Sequence, residues 1–165
     1  MLAKTKETED IDDLSAAVLW VHVLSGAVWI GACACLVIAL SAMAAGSGEF
    51  RDFVNRAMPL LNRVSVAAGL ALVISGAARF LMLKAAGGFA PSAMFIDVLL
   101  AKIALFAAMT IAMAASLRAS AMLRAEIDSR ADSAGATTRR IAVLSGLIAG
   151  LGGAAMLLGL WLVGS

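Results

Sequence analysis

The chain has 165 residues, of which 62% are hydrophobic and only 15% charged, with a formal net charge of +2. A soluble domain of this size is nearer half apolar and a quarter charged, so the composition excludes an ordinary soluble globule and points to an integral membrane protein. The net charge is too small to call for a nucleic-acid partner, and the basic residues are better read as topology signals.

The first 13 residues carry two lysines followed by Glu7, Glu9, Asp10, Asp12 and Asp13. This acid swamps any basic n-region, and the apolar run that follows is too long for the h-region of a signal peptide. Residues 1–13 are therefore expected to be a solvated, flexible tail, and residues 14–165 a single transmembrane domain. Four apolar segments follow, at about 15–45, 59–83, 93–117 and 141–163. Each exceeds the ~20 residues that cross a bilayer core as a helix. Their length and their Ala, Leu and Gly content disfavour strands. The expected fold is all-α: a four-helix membrane bundle running up-down-up-down.

The linkers are punctuated as such a bundle requires. Gly46-Ser-Gly48 closes the first segment, and Met58-Pro59 opens the second, with proline in a first turn. A Gly- and Pro-containing stretch at 87–92 separates the second from the third, with Ser92 as a candidate N-cap. The linker 118–140 is the longest, and 120–130 is expected to continue the third helix. Eight arginines lie in or beside the first and third linkers, against four basic residues (Lys4, Lys6, Arg79 and Lys84) at the other end. The positive-inside rule then puts both termini outside the cytoplasm, which in a bacterial inner membrane means the periplasm.

Val23-Leu-Ser-Gly26, Val73-Ile-Ser-Gly76 and Val143-Leu-Ser-Gly146 recur in segments one, two and four. Small residues of this kind let membrane helices approach closely. Gly146, Gly150 and Gly153 extend the theme as a stripe suited to a close contact, within the bundle or in a dimer. Cys33 and Cys35 are two residues apart, so on a helix they point about 200° from one another. They are poorly placed to chelate one metal and read as small apolar residues.

The only histidine, His22, lies in the first apolar segment. A titratable, metal-competent side chain at such depth is costly unless something satisfies or uses it. His22 lies roughly 10 Å from the outer end of its helix at 1.5 Å per residue. In four alternating helices, Lys102 and Arg79 fall at the same depth, with Asp97 just above. His22, Gly26, Trp29 and Cys33 share one stripe of helix one, and Lys102, Phe106, Met109 and Met113 share one stripe of helix three. The candidate cofactor-binding residues are thus His22, Lys102, Arg79 and Trp29. The candidate metal ligands are His22, Met109 and Met113, although the two methionines lie about 10 and 16 Å along helix three from Lys102, deeper than His22. Against these stand simpler roles: Arg79 snorkelling to the interface, Lys102 paired with Asp97, His22 as a structural hydrogen bonder, and the methionines and Trp29 as packing.

"LWVHVLSGAVWIG" resembles the opening helix of the copper resistance D family, with its His and then Trp-x-Gly. "LNRVSVAAGLALVISGAARF" resembles that family's second helix, "LLAKIALFAAMTIAMAASLR" its Lys-bearing helix, and "RRIAVLSGLIAG" its last. The small membrane protoporphyrinogen oxidases, which share an essential His and Lys, also look similar. The resemblance implies copper handling, by binding or permeation, at the bacterial inner membrane, and its residues fall on His22, Trp29, Gly31 and Lys102. The alternative it raises is a haem b or porphyrin protein, with His22 as axial ligand and Arg79 and Lys102 facing the propionates. A third reading is a cofactor-free accessory subunit. Binding or transport is favoured over catalysis in this reading, and no catalytic residue is assigned. Expected partners are membrane lipid and either a second copy or a membrane or periplasmic protein.

Overall fold

The computed structural model describes residues 2–44, 47–85, 93–129 and 134–164, with side chains between residues 13 and 159 of these. Segments rich in Ala, Leu and Met have little side-chain entropy to lose in a helix, and all four form one. The elements are α1 (Leu2–Ala42), α2 (Gly48–Asp52), a π-helical turn (Phe53–Ala57), α3 (Met58–Ala85), α4 (Ala93–Ser129) and α5 (Ala134–Gly164). The protein is an all-α four-helix bundle, with no strand among the described residues. Four stretches are long and apolar enough to cross a membrane, namely Asp13–Ala42, Gly48–Ala85, Ala93–Ser129 and Ala134–Gly159, which fits a multi-pass membrane protein.

The outer surface agrees with a lipid setting. Ile38, Ile74, Ile111 and Leu157 each leave about two-thirds or more of their surface uncovered. In water such a surface would be a large exposed apolar patch; in hydrocarbon it is the ordinary exterior of a span.

The helix ends differ from those read off the sequence. α1 begins at Leu2, so the acidic stretch continues the helix beyond the apolar span. α4 runs on to Ser129, and α5 starts at Ala134. A side-chain hydrogen bond, Thr137 Oγ1 to Glu126 Oε1 at 3.0 Å, ties these two extensions together. The second membrane helix starts eleven residues before Pro59, at Gly48. Ser47 caps it, its Oγ accepting from Phe50 N at 3.1 Å. Pro59 lacks the N–H that would reach the carbonyl of Asn55, and its ring would strike that carbonyl. The π turn resolves the conflict: Met58 N–H reaches back five residues to Phe53 O, so the chain passes the proline without breaking. The stretch 87–92, with Ser92, lies outside the described residues.

The closest helix pairings are α1 with α3, α4 with α5, and α1 with α5. α3 and α4 approach one another less closely, which leaves a cleft on that flank. Two apolar clusters fill the interior. One, at the arginine-rich end, joins Leu36, Leu40, Phe50, Val54, Met58, Ala119, Leu123 and Ile141. The other, in the middle, joins Trp29, Cys33, Ala68, Met109, Ala112, Met113 and Ile148. Among the described glycines the closest approach is at Gly152, where an added Cβ would fall 2.6 Å from Ile30 Cγ1 and 3.2 Å from Met109 Cε. Within the bundle the Gly146, Gly150 and Gly153 stripe makes no such contact: Gly150 and Gly153 have nothing within 4 Å, and Gly146 meets Val37 at 3.9 Å. The phase of α5 turns Gly152 inward instead.

Candidate functional site

His22 projects from α1 toward α3. Its Nδ1 lies 3.1 Å from Leu72 O and 3.1 Å from Ser75 Oγ. The Ser75 hydroxyl donates to Ala71 O at 2.6 Å, bonding back to its own helix. Its proton is thus committed, and both groups facing Nδ1 act as acceptors. Nδ1 therefore carries the imidazole proton and donates to them. In the neutral ring this leaves Nε2 with its lone pair, and among the described residues nothing hydrogen-bonds to it. A histidine whose Nδ1–H is fixed by a backbone carbonyl and whose Nε2 is open has the arrangement found at metal-ligating histidines.

The ring fits because α3 has no side chain beneath it. A Cβ on Gly76 would lie 3.1 Å from His22 Cε1 and 3.5 Å from Nδ1. Gly26, one turn further along α1, faces Met156 Cε of α5 at 3.4 Å and Leu72 Cδ1 at 3.6 Å from its Cβ position. Lys102 of α4 extends its ammonium over bare backbone of α5, with Nζ 3.1 Å from the Cβ position of Gly159.

The charges of Lys102 and Arg79 both act on His22, and that of Arg79 acts on Lys102. The equality of depth read from the sequence thus becomes proximity among α1, α3 and α4. Asp97 is exposed, and among the described residues no carboxylate pairs with Lys102 or Arg79. Nη1 of Arg79 is buried with no hydrogen-bond partner. Two cations that act on one imidazole in a membrane span, with no counter-ion among the described residues, give that site a net positive potential.

Deeper along the helices the surroundings are apolar. Trp29 is buried against Gly69, with indole carbons 3.8 Å from its Cβ position. Its ring meets Phe106 edge-on, with centroids 5.6 Å apart and planes at 65°, a favourable aromatic geometry. Trp29 Nε1 is buried and unpartnered. Met109 and Met113 are packed with Trp29, Cys33 and Ile148 in the middle cluster. The structure therefore brings together His22, Arg79 and Lys102, sets Trp29 beneath them, and places the two methionines in the core. Cys33 is buried and Cys35 exposed, as their angular separation requires. No group of three His, Cys, Asp or Glu side chains able to hold a metal occurs among the described residues.

Sequence reasoning missed Ser75, Met156 and Gly159. Ser75 was legible only as part of a small-residue repeat, and Met156 and Gly159 belong to a helix read through its other glycines. Comparison with protein-family models, curated proteins and solved structures finds no match.

Proposed function

We propose that this chain is a bacterial inner-membrane protein of the copper resistance D type whose outer-half pocket binds haem or a related anionic porphyrin. The observation that carries this reading is the Nε2 of His22, with no partner among the described residues, near two cations that no carboxylate among those residues neutralises. In a low-dielectric interior such a pair is strongly unfavourable alone and is relieved by an anion. A porphyrin dicarboxylate supplies that anion and, when metallated, an iron for one imidazole. His22 would hold the iron, Arg79 and Lys102 the propionates, and the Trp29–Phe106 pair would lie under the pocket. Bound haem would supply redox or ligand-binding chemistry. The chain's own part is to orient the imidazole through Ser75 and Leu72 and to balance the propionate charge.

Copper handling is the second reading. The resemblance supports it, as does the thioether-bearing Met156, whose methyl group approaches Gly26 one turn from His22. Imidazole and thioether suit Cu(I). It is the weaker reading electrostatically, because it places a metal cation beside two others.

The absorption spectrum and metal content of the purified protein separate these readings. A Soret band that disappears in His22→Ala, in a protein that still elutes as a folded species, is the expected result. Copper bound in proportion to protein and lost in the same variant would replace it with the second reading. A folded protein with neither, after supply of haem and copper during expression, would leave an accessory role with both termini in the periplasm. Cysteine accessibility from each side of the membrane tests that topology.

A further inference from the structure

At the arginine-rich end, the flank between α3 and α4 holds a cavity of about 320 Å³ lined by Asn62, Arg63, Val66, Ala67, Leu70 and Leu117. It is remote in sequence and depth from His22 and shares no residue with the pocket above. Its walls are almost wholly aliphatic, and it exists because α3 and α4 do not close on each other. Two features set it apart from an ordinary groove filled by any lipid tail. Arg63 lines it and is exposed, and Arg118, next to Leu117 on the facing helix, is exposed as well. Asn62 also lines it, is only 7% exposed, and has an unpartnered Oδ1.

We propose that this cleft is a specific site for one anionic phospholipid of the phosphatidylglycerol type. The phosphate sits on Arg63 with Arg118 beside it, and one acyl chain follows Val66, Ala67, Leu70 and Leu117 toward the bilayer centre. From Arg63 to Leu70 the helix rises about 10 Å, so the cleft grips the upper part of a chain and leaves the rest in bulk lipid. Asn62 Oδ1 is enclosed without a donor, and on a turn of its side chain toward the cleft it accepts from a headgroup hydroxyl. Basic pockets between membrane helices at the cytoplasmic face bind anionic headgroups for these reasons. A choline headgroup has no hydroxyl and places its own cation near the arginines. The proposal does not depend on what the His22 pocket holds.

The test uses the full chain, purified in detergent and delipidated. Phosphatidylglycerol and phosphatidylcholine with identical acyl chains are titrated in, and lipid retention by native mass spectrometry and the shift in Tm are read together. Phosphatidylglycerol is expected to be retained at about tenfold lower concentration than phosphatidylcholine, as one charge-assisted contact implies, and to raise Tm further. Arg63→Gln should abolish that preference, and Leu117→Trp, which fills the cleft, should weaken retention of both lipids. Arg140→Gln, an exposed arginine at the same end, should leave the preference unchanged. Equal retention of the two lipids by the wild type would overturn the proposal. So would an Arg140→Gln effect as large as that of Arg63→Gln, which would mark a diffuse charge effect. An equal Tm shift with inorganic phosphate alone would also overturn it, because the apolar walls would then contribute nothing. If Arg63→Gln lowers the basal Tm, Arg63→Lys should restore the preference in part.

Discussion

The two halves of the bundle handle buried polarity in opposite ways. Around His22 the polar groups are directed at one another: Nδ1 is bonded to Leu72 O and Ser75 Oγ, and the two cations act on the ring and on each other. Toward the arginine-rich end the fully enclosed polar residues are mostly serines, with Asn62 beside them and with Arg124 Nε and Glu126 Oε2 buried in partly exposed side chains. Ser65 lies against Cys33, while Ser120 and Ser145 are almost fully enclosed with no partner for their hydroxyls. These serines lie on the inward stripes near and between the two apolar clusters, where a small side chain lets helices close. Around His22 the polarity converges on one ring; at the arginine-rich end the buried serines are a by-product of small volume, and Asn62 is the exception. A substitution near His22 should therefore change binding at that ring without stability, and one among the buried serines stability without that binding.

His22→Ala is the strongest test of this contrast, with complete loss of the Soret band and a Tm within a few degrees of the unliganded wild type. A Tm collapse in that variant would make the histidine a structural residue and erase the distinction. Gly152→Val comes next. Its side chain would enter the space of Ile30 and Met109, at an overpacking cost of about 1–3 kcal/mol. A lower midpoint in thermal or denaturant unfolding is expected, with the ligand spectrum of the remaining folded fraction unchanged. Gly76→Ala lies on the other side of the comparison. Its methyl group presses on His22 Cε1 and tilts the ring off Ser75 and Leu72, weakening ligand affinity by about tenfold, or 1.4 kcal/mol, in a haem titration. Ser145→Ala is the smallest. It removes an unpartnered buried hydroxyl, so stability should hold or rise by up to about 1 kcal/mol. A loss of 2 kcal/mol or more would show that this hydroxyl has a partner and that the inner half is also organised for polar contacts.

The parts legible from sequence were those that depend on position along a helix axis. Segment length and alternation sufficed for four helices and for the coincidence of His22, Arg79 and Lys102 at one depth. Position around the axis was much harder to read, because the helices are apolar on nearly every face and their surroundings reward burial on the inside no more than contact with lipid. That is why the sequence singles out Gly146, Gly150 and Gly153 for a close contact, within the bundle or in a dimer, while within the bundle Gly152 makes it. It is also why Ser75 reads as one more small residue and not as a partner of His22 Nδ1 beside the Leu72 carbonyl. Pro59 misled for a different reason. A proline usually marks a helix boundary, but a single wide turn removes the clash and lets the helix begin at Gly48.

That wide turn also sets a phase. Phe50, Val54, Met58 and Asn62 are all buried and fall four residues apart. At 100° per residue, steps of four advance by about 40° each, enough to carry a straight α-helical row off its seam within three steps. The extra residue in Phe53–Ala57 absorbs most of that advance. The length of this segment is consequently as constrained as its composition. Removing one residue from it would close the turn to α-helical geometry and set the Pro59 ring against the carbonyl four residues back, the conflict that the wide turn avoids. A scan of single-residue deletions should find intolerance there even at positions whose side chains can be replaced freely.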